Sequence, residues 1–105
     1  MKSITDKAEV SIDFPEKAYM GSFGRESSYE VRVEPEDVAL RIVRGGEQKR
    51  QVGLHLHYYL LADILTEIGE GLAKHQFLDR EHLDALRRSV EVLNRGLRRS
   101  ARRQK

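Results

Sequence analysis

Along the first half of the chain apolar and polar residues alternate. Val10, Ile12 and Phe14 interleave with Glu9, Ser11 and Asp13 until Pro15 stops the run. That period of two is the pattern of a half-buried strand. Residues 19–23 repeat it more weakly, interrupted by Gly21 and closed by Gly24. Tyr29, Val31 and Val33 alternate with Glu30, Arg32 and Glu34, which predicts a strand ending at Pro35. Glu34-Pro35-Glu36-Asp37 then has the composition of a tight turn.

Residues 38–44 fit two patterns. Val38, Leu40 and Ile42 suit a strand face, whereas Val38, Ala39, Ile42 and Val43 suit a helix face started by Pro35, Glu36 and Asp37. Three β-branched residues in so short a stretch, closed by Gly45-Gly46, favour the strand. Val52, Leu54 and Leu56 continue the period of two and give that strand a hairpin partner across the Gly-Gly turn.

From Tyr58 the period changes. Tyr58, Leu61, Leu65, Ile68 and Leu72 step by three and four, the seam of an amphipathic helix over 58–74, with Leu60 and Ile64 widening the stripe. Gly69 and Gly71 cost its last turns about 1 kcal/mol each relative to alanine unless close packing needs them. Asp79 can cap a second helix over 79–100, with Glu81 in its first turn. Leu83, Leu86, Val90, Leu93 and Leu97 repeat the seam. Two helices joined by so short a link are expected to pack antiparallel.

The expected fold is therefore α+β: an antiparallel meander of three to five short strands, mainly within 1–53, followed by a C-terminal antiparallel helical hairpin. The 105 residues read as one domain, 1–105, with no internal repeat and no linker.

Composition narrows the function classes. With 39% apolar and 34% charged residues the chain is too apolar for wholesale disorder. No stretch of about 18 apolar residues occurs, so no membrane association is expected. The absence of cysteine removes disulfides, thiolate chemistry and zinc fingers. Residues 1–10 hold Asp6 and Glu9 and no apolar run, so no secretory signal is read and a cytoplasmic location is the expectation.

The net charge of +2 hides an asymmetry. Residues 1–78 carry ten Lys/Arg against thirteen Asp/Glu, and residues 79–105 carry nine against four. On a helical projection Arg88, Arg95, Arg98, Arg99 and Arg102 fall roughly 100° to 200° from Leu97, opposite the seam, and Arg103 follows them in the same basic tail. Guanidinium groups so placed suit phosphate contacts and make a polyanion, nucleic acid above all, a possible partner. A solvated face, with cations complementing the helix C-terminus, is the simpler explanation of them. No aromatic residue follows Phe77, so no base-stacking platform adjoins the tail.

Other chemistry is sparse. If residues 52–57 are extended, His55 and His57 share one face with Gly53 leaving space beside them. A two-histidine site still needs a third ligand, and no His-Glu-x-x-His motif occurs, so no metal or cofactor is expected. His75 and His82 flank the interhelical turn. The loops 21–25 and 44–46 lack the lysine and hydroxyl of a phosphate loop. No serine lies in a Gly-x-Ser-x-Gly or Ser-x-x-Lys context, and the carboxylates, such as Glu67 and Glu70, are arranged as solvated faces.

A non-catalytic interaction module that self-associates, as a homodimer, through its helical hairpin is the expected function. The seam residues Tyr58, Leu61, Leu65, Ile68, Leu72, Leu83, Leu86, Val90, Leu93 and Leu97 are its expected core or interface. Tyr59, Leu60, Ile64 and Val92 add apolar surface beside them. Nucleic-acid association through the arginine face is the alternative.

Overall fold

The structure, a computed structural model, describes residues 1–46 and 49–104. The chain runs β1 (Lys2–Ser3), β2 (Ala8–Asp13), β3 (Ala18–Phe23), β4 (Ser27–Val33), β5 (Asp37–Arg44), β6 (Arg50–His57), α1 (Tyr58–Lys74) and α2 (Arg80–Arg103). It divides into two compact units, Met1–Thr66 and Glu67–Lys105, and the division falls inside α1 rather than in a linker. The class is α+β, with antiparallel strands followed by two helices, as expected.

In the first unit the strands form a four-stranded sheet in the order β1-β4-β5-β6 and a two-stranded ribbon of β2 and β3. The meander of the sequence reading is β4-β5-β6. The earlier run pairs with itself as the ribbon, and β1, two residues that no alternation announces, adds to the free edge of β4. The ambiguous segment 38–44 is strand throughout.

Two of the hairpin turns are built alike. Phe14-Pro15-Glu16-Lys17 joins β2 to β3 and Glu34-Pro35-Glu36-Asp37 joins β4 to β5, the first closed by the Phe14 amide donating to the Lys17 carbonyl at 2.7 Å and the second by the Glu34 amide donating to the Asp37 carbonyl at 2.9 Å. In each, proline at the second position presets the turn dihedral and has no N–H to leave unpaired. Between β5 and β6 the chain leaves Arg44 through Gly45 and Gly46, the latter at φ +96°, where a side chain would be strained. Glu47 and Gln48 of that turn, and Lys105 of the basic tail, lie outside the described residues.

Pairing register sorts the sheet into two faces. Val31 opposes Leu40, which opposes Leu54; the flanking rows are Tyr29-Ile42-Val52 and Val33-Val38-Leu56. Cross-strand partners share a face, so these nine residues make one apolar surface. Glu30, Arg41 and Gly53, then Arg32, Ala39 and His55, then Asp37 and His57 form the opposite, polar face. Among the described residues only Phe23, Ala39 and Ser27 are buried, while Val33 and Leu54 of the apolar face are exposed.

Strand β6 passes into α1 without a loop, from His57 to Tyr58. The change of period in the sequence is thus the element boundary itself. The Tyr58 hydroxyl donates to the Glu34 carbonyl at 2.6 Å and ties the first helical residue to the β4–β5 turn.

In the second unit α2 begins as its sequence directs. Asp79 is the N-cap and its Oδ1 accepts from the His82 amide at 2.9 Å. Gly69 and Gly71 face open space, so no close packing offsets their helix-weakening effect. The two helices and the five-residue link of the expected hairpin are present. Neither helix buries a residue, however, so the seams that hairpin packing would cover remain open.

Replacing Tyr58 by Phe removes the tie to Glu34 at little change in shape. We expect a loss of about 1 kcal/mol in urea unfolding, the net value of a single neutral hydrogen bond; an unchanged midpoint would show that the tie is not formed in solution.

Candidate functional site

The seams are the largest feature of the helices. Tyr58, Leu65, Ile68 and Leu72 of α1 are exposed, with Leu61 half-buried. Leu83, Leu86, Val90, Leu93 and Leu97 of α2 are between 36% and 60% exposed. A stripe of five such residues on one helix is what a second helix or another molecule covers. Tyr59, Leu60 and Val92 add exposed apolar area beside it.

The far side of α2 is cationic. The helix carries eight arginines against three acids, and all three acids, Glu81, Asp84 and Glu91, precede Arg95. Arg88, Arg95, Arg98, Arg99, Arg102 and Arg103 are all exposed, and among the described residues none has an ion-pair partner. The spacings Arg95 to Arg99, Arg98 to Arg102 and Arg99 to Arg103 place like charges one turn apart, which costs a few tenths of a kcal/mol per pair in a helix. A polyanion would relieve that repulsion; so does water with salt.

The histidines divide by location. His75 stacks on Phe77, ring centroids 4.7 Å apart, within the link. His82 is one turn into α2, its Nδ1 2.7 Å from Asp79 Oδ1. The His82 backbone N–H and, after it, the His82 ring hold the Asp79 carboxyl below its usual range. Both residues serve the helix start.

His55 and His57 do share a face, since β6 is extended through both. Register supplies what the sequence could not. Asp37 lies directly opposite His57 in the ladder, and its Oδ2 is 3.6 Å from His55 Nδ1 and 3.7 Å from His57 Nε2. Asp37 is the member that local sequence pattern does not supply, since that pattern places it in a turn or at a helix start. No local signal marks it; only the pairing of β5 with β6 brings it to the histidines. Beside them Gly53 and Ala39 leave the polar face low, and Arg32 is engaged with Glu34 at 3.7 Å.

An open depression of about 390 Å³ on the apolar face is lined by Ile4, Tyr29, Val31, Leu40 and Ile42 among others. Thr5, Asp6, Lys7 and Glu30 bring polar groups to its rim. Among the described residues no helix is long and apolar enough to cross a membrane. No protein-family model, curated protein or solved structure matches this chain.

The Asp79 cap generates a pH-dependent expectation. A carboxyl held below its ordinary range in the folded state stabilises the fold above its unfolded-state value and loses that contribution as pH falls through the lowered one. Asp79→Ala is expected to lower the melting temperature at pH 7, with the difference from the parent chain vanishing in acid below the carboxylate range. A difference that persists undiminished there would assign the stability to something other than the charged cap.

Proposed function

We propose that this protein is a non-catalytic interaction module that associates with a second copy of itself through the seams of α1 and α2. The observation that carries the reading is the exposure of all ten seam positions to at least a partial degree in helices that bury no residue.

Magnitudes favour association. Full burial of a Leu, Ile or Val side chain is worth about 1.5–3 kcal/mol, so covering the remaining half of each gains about 1 kcal/mol per residue. Ten residues on each of two chains sum to about 20 kcal/mol gross, against about 4–15 kcal/mol for the lost freedom of the partners. That margin is reduced by side-chain ordering at the interface, about 0.5–1.5 kcal/mol per immobilised side chain, so it sets the direction and not the affinity.

The α2 seam also suits a two-fold partner. Leu83, Leu86, Leu93 and Leu97 are disposed nearly symmetrically about Val90, so an antiparallel pair of α2 helices crossing there sets Leu83 of one near Leu97 of the other. That orientation also places the arginine-rich half of each helix along the acid-bearing half of its partner, whereas a parallel pair would bring the two arginine-rich ends together.

The unpaired arginines of α2 favour nucleic-acid association as the second reading. It is compatible with dimerisation, because seam and arginines occupy opposite sides of the helix.

Two substitutions separate the readings. Leu93→Asp puts a charge into the seam and is expected to convert a dimer into a monomer by light scattering; an unchanged mass would overturn the dimer through α2. Arg98, Arg99, Arg102 and Arg103 replaced together by Gln are expected to leave the mass unchanged and to abolish any duplex binding that moderate salt reverses. Duplex binding that survives this replacement would remove the arginine face as its site.

A further inference from the structure

We propose that Asp37, His55 and His57 form a binding site for a divalent transition ion of the Zn²⁺ type at the end of the sheet where β6 becomes α1. Imidazole nitrogen and carboxylate oxygen together suit such ions. The alternation of β6 fixes both rings on one face, and the β5–β6 register puts one carboxylate oxygen within 3.6 and 3.7 Å of a nitrogen of each.

Distances decide how much must change. With ligand bonds near 2.0–2.1 Å, two donors on one tetrahedral or octahedral ion stand about 3.0–3.4 Å apart. Two of the three donor–donor edges are therefore already within about half an ångström of that spacing. As the side chains lie, no group of three His, Cys, Asp or Glu residues among the described residues could hold a metal ion, so binding requires both rings to rotate towards Asp37. Both rings are free to do this, at 64% and 66% exposed, while Asp37, at 17%, is the fixed member.

The surroundings admit a cation. Arg32, across from Ala39 on the same face, is paired with Glu34, so its charge is offset, and Gly53 and Ala39 raise no bulky side chain between the ligands and solvent. Water completes the coordination. Binding would lock β6 to β5 beside Tyr58, and so stiffen the point from which α1 departs.

The test uses the untagged full chain titrated with Zn²⁺ by calorimetry, with thermal melts in parallel. One Zn²⁺ per chain and a raised melting temperature are expected, since a ligand that binds the folded state stabilises it. His55→Gln and His57→Gln, both at exposed positions, are each expected to abolish saturable binding without altering the circular dichroism of the metal-free chain. Asp37→Asn is expected to weaken binding about tenfold or more, as loss of a ligand or of its supporting carboxylate does. The double replacement His75→Gln with His82→Gln should leave binding intact. No saturable binding by the parent chain would overturn the site, as would binding that survives His57→Gln or is lost only with His75 and His82. Unchanged affinity in Asp37→Asn would overturn the three-ligand assignment, and one ion per two chains would overturn a site complete within one chain.

Discussion

The pairing of β5 with β6 is the constraint on which the rest depends. A ladder in which Leu40 opposes Leu54 and Asp37 opposes His57 commits every side chain of both strands to one face or the other. A slip by one residue would turn Val38, Leu40 and Ile42 onto the polar face and carry Asp37 away from the histidines. Two devices pin the register: the Pro35-Glu36 turn, which fixes where β5 begins, and the termination of β6 at His57, where the chain becomes helical. The Tyr58 hydroxyl then joins the two devices by reaching the Glu34 carbonyl.

From that ladder follows an unusual distribution of apolar surface. The central rows of the sheet gather nine apolar residues on one face, yet the only buried apolar side chains among the described residues are Phe23 and Ala39. Neither is a large member of those rows. The helices repeat the situation, with seams of regular spacing and no buried residue. Hydrophobic burial is the principal favourable term in folding, and a chain that leaves this much of it unused has a strong thermodynamic reason to associate. Self-association, the reading favoured above, uses that surface without asking anything further of the sequence.

Charge is organised independently of the apolar pattern. On α2 the acids occupy the first half and the arginines dominate the second, on the side away from the leucines. One helix can thus be covered along its seam and still present its cations. On the polar face of the sheet Arg41 pairs across strands with Glu30 at 3.5 Å, and Arg32 pairs along the chain with Glu34 at 3.7 Å. The Asp37 cluster differs because its partners are imidazoles, whose ring nitrogens are also metal-ligand atoms.

Local pattern alone determined most of the elements. Period two marked the strands, the change to steps of three and four at Tyr58 marked the helix start within a residue, and Asp79 marked the start of α2, because each of these is set by contacts within a few residues of the chain. The division of the strands into a ribbon and a sheet, and the addition of β1, were decided by tertiary structure. Which edge a short strand joins depends on hydrogen-bonding groups far away in sequence, and no periodicity records them. The same holds for the candidate site: His55 and His57 could be placed on a common face from alternation, but their carboxylate could not, because Asp37 reaches them only through the register of β5 against β6. The openness of the helical seams was likewise invisible in the sequence, where an apolar stripe shows what must be covered and never what covers it.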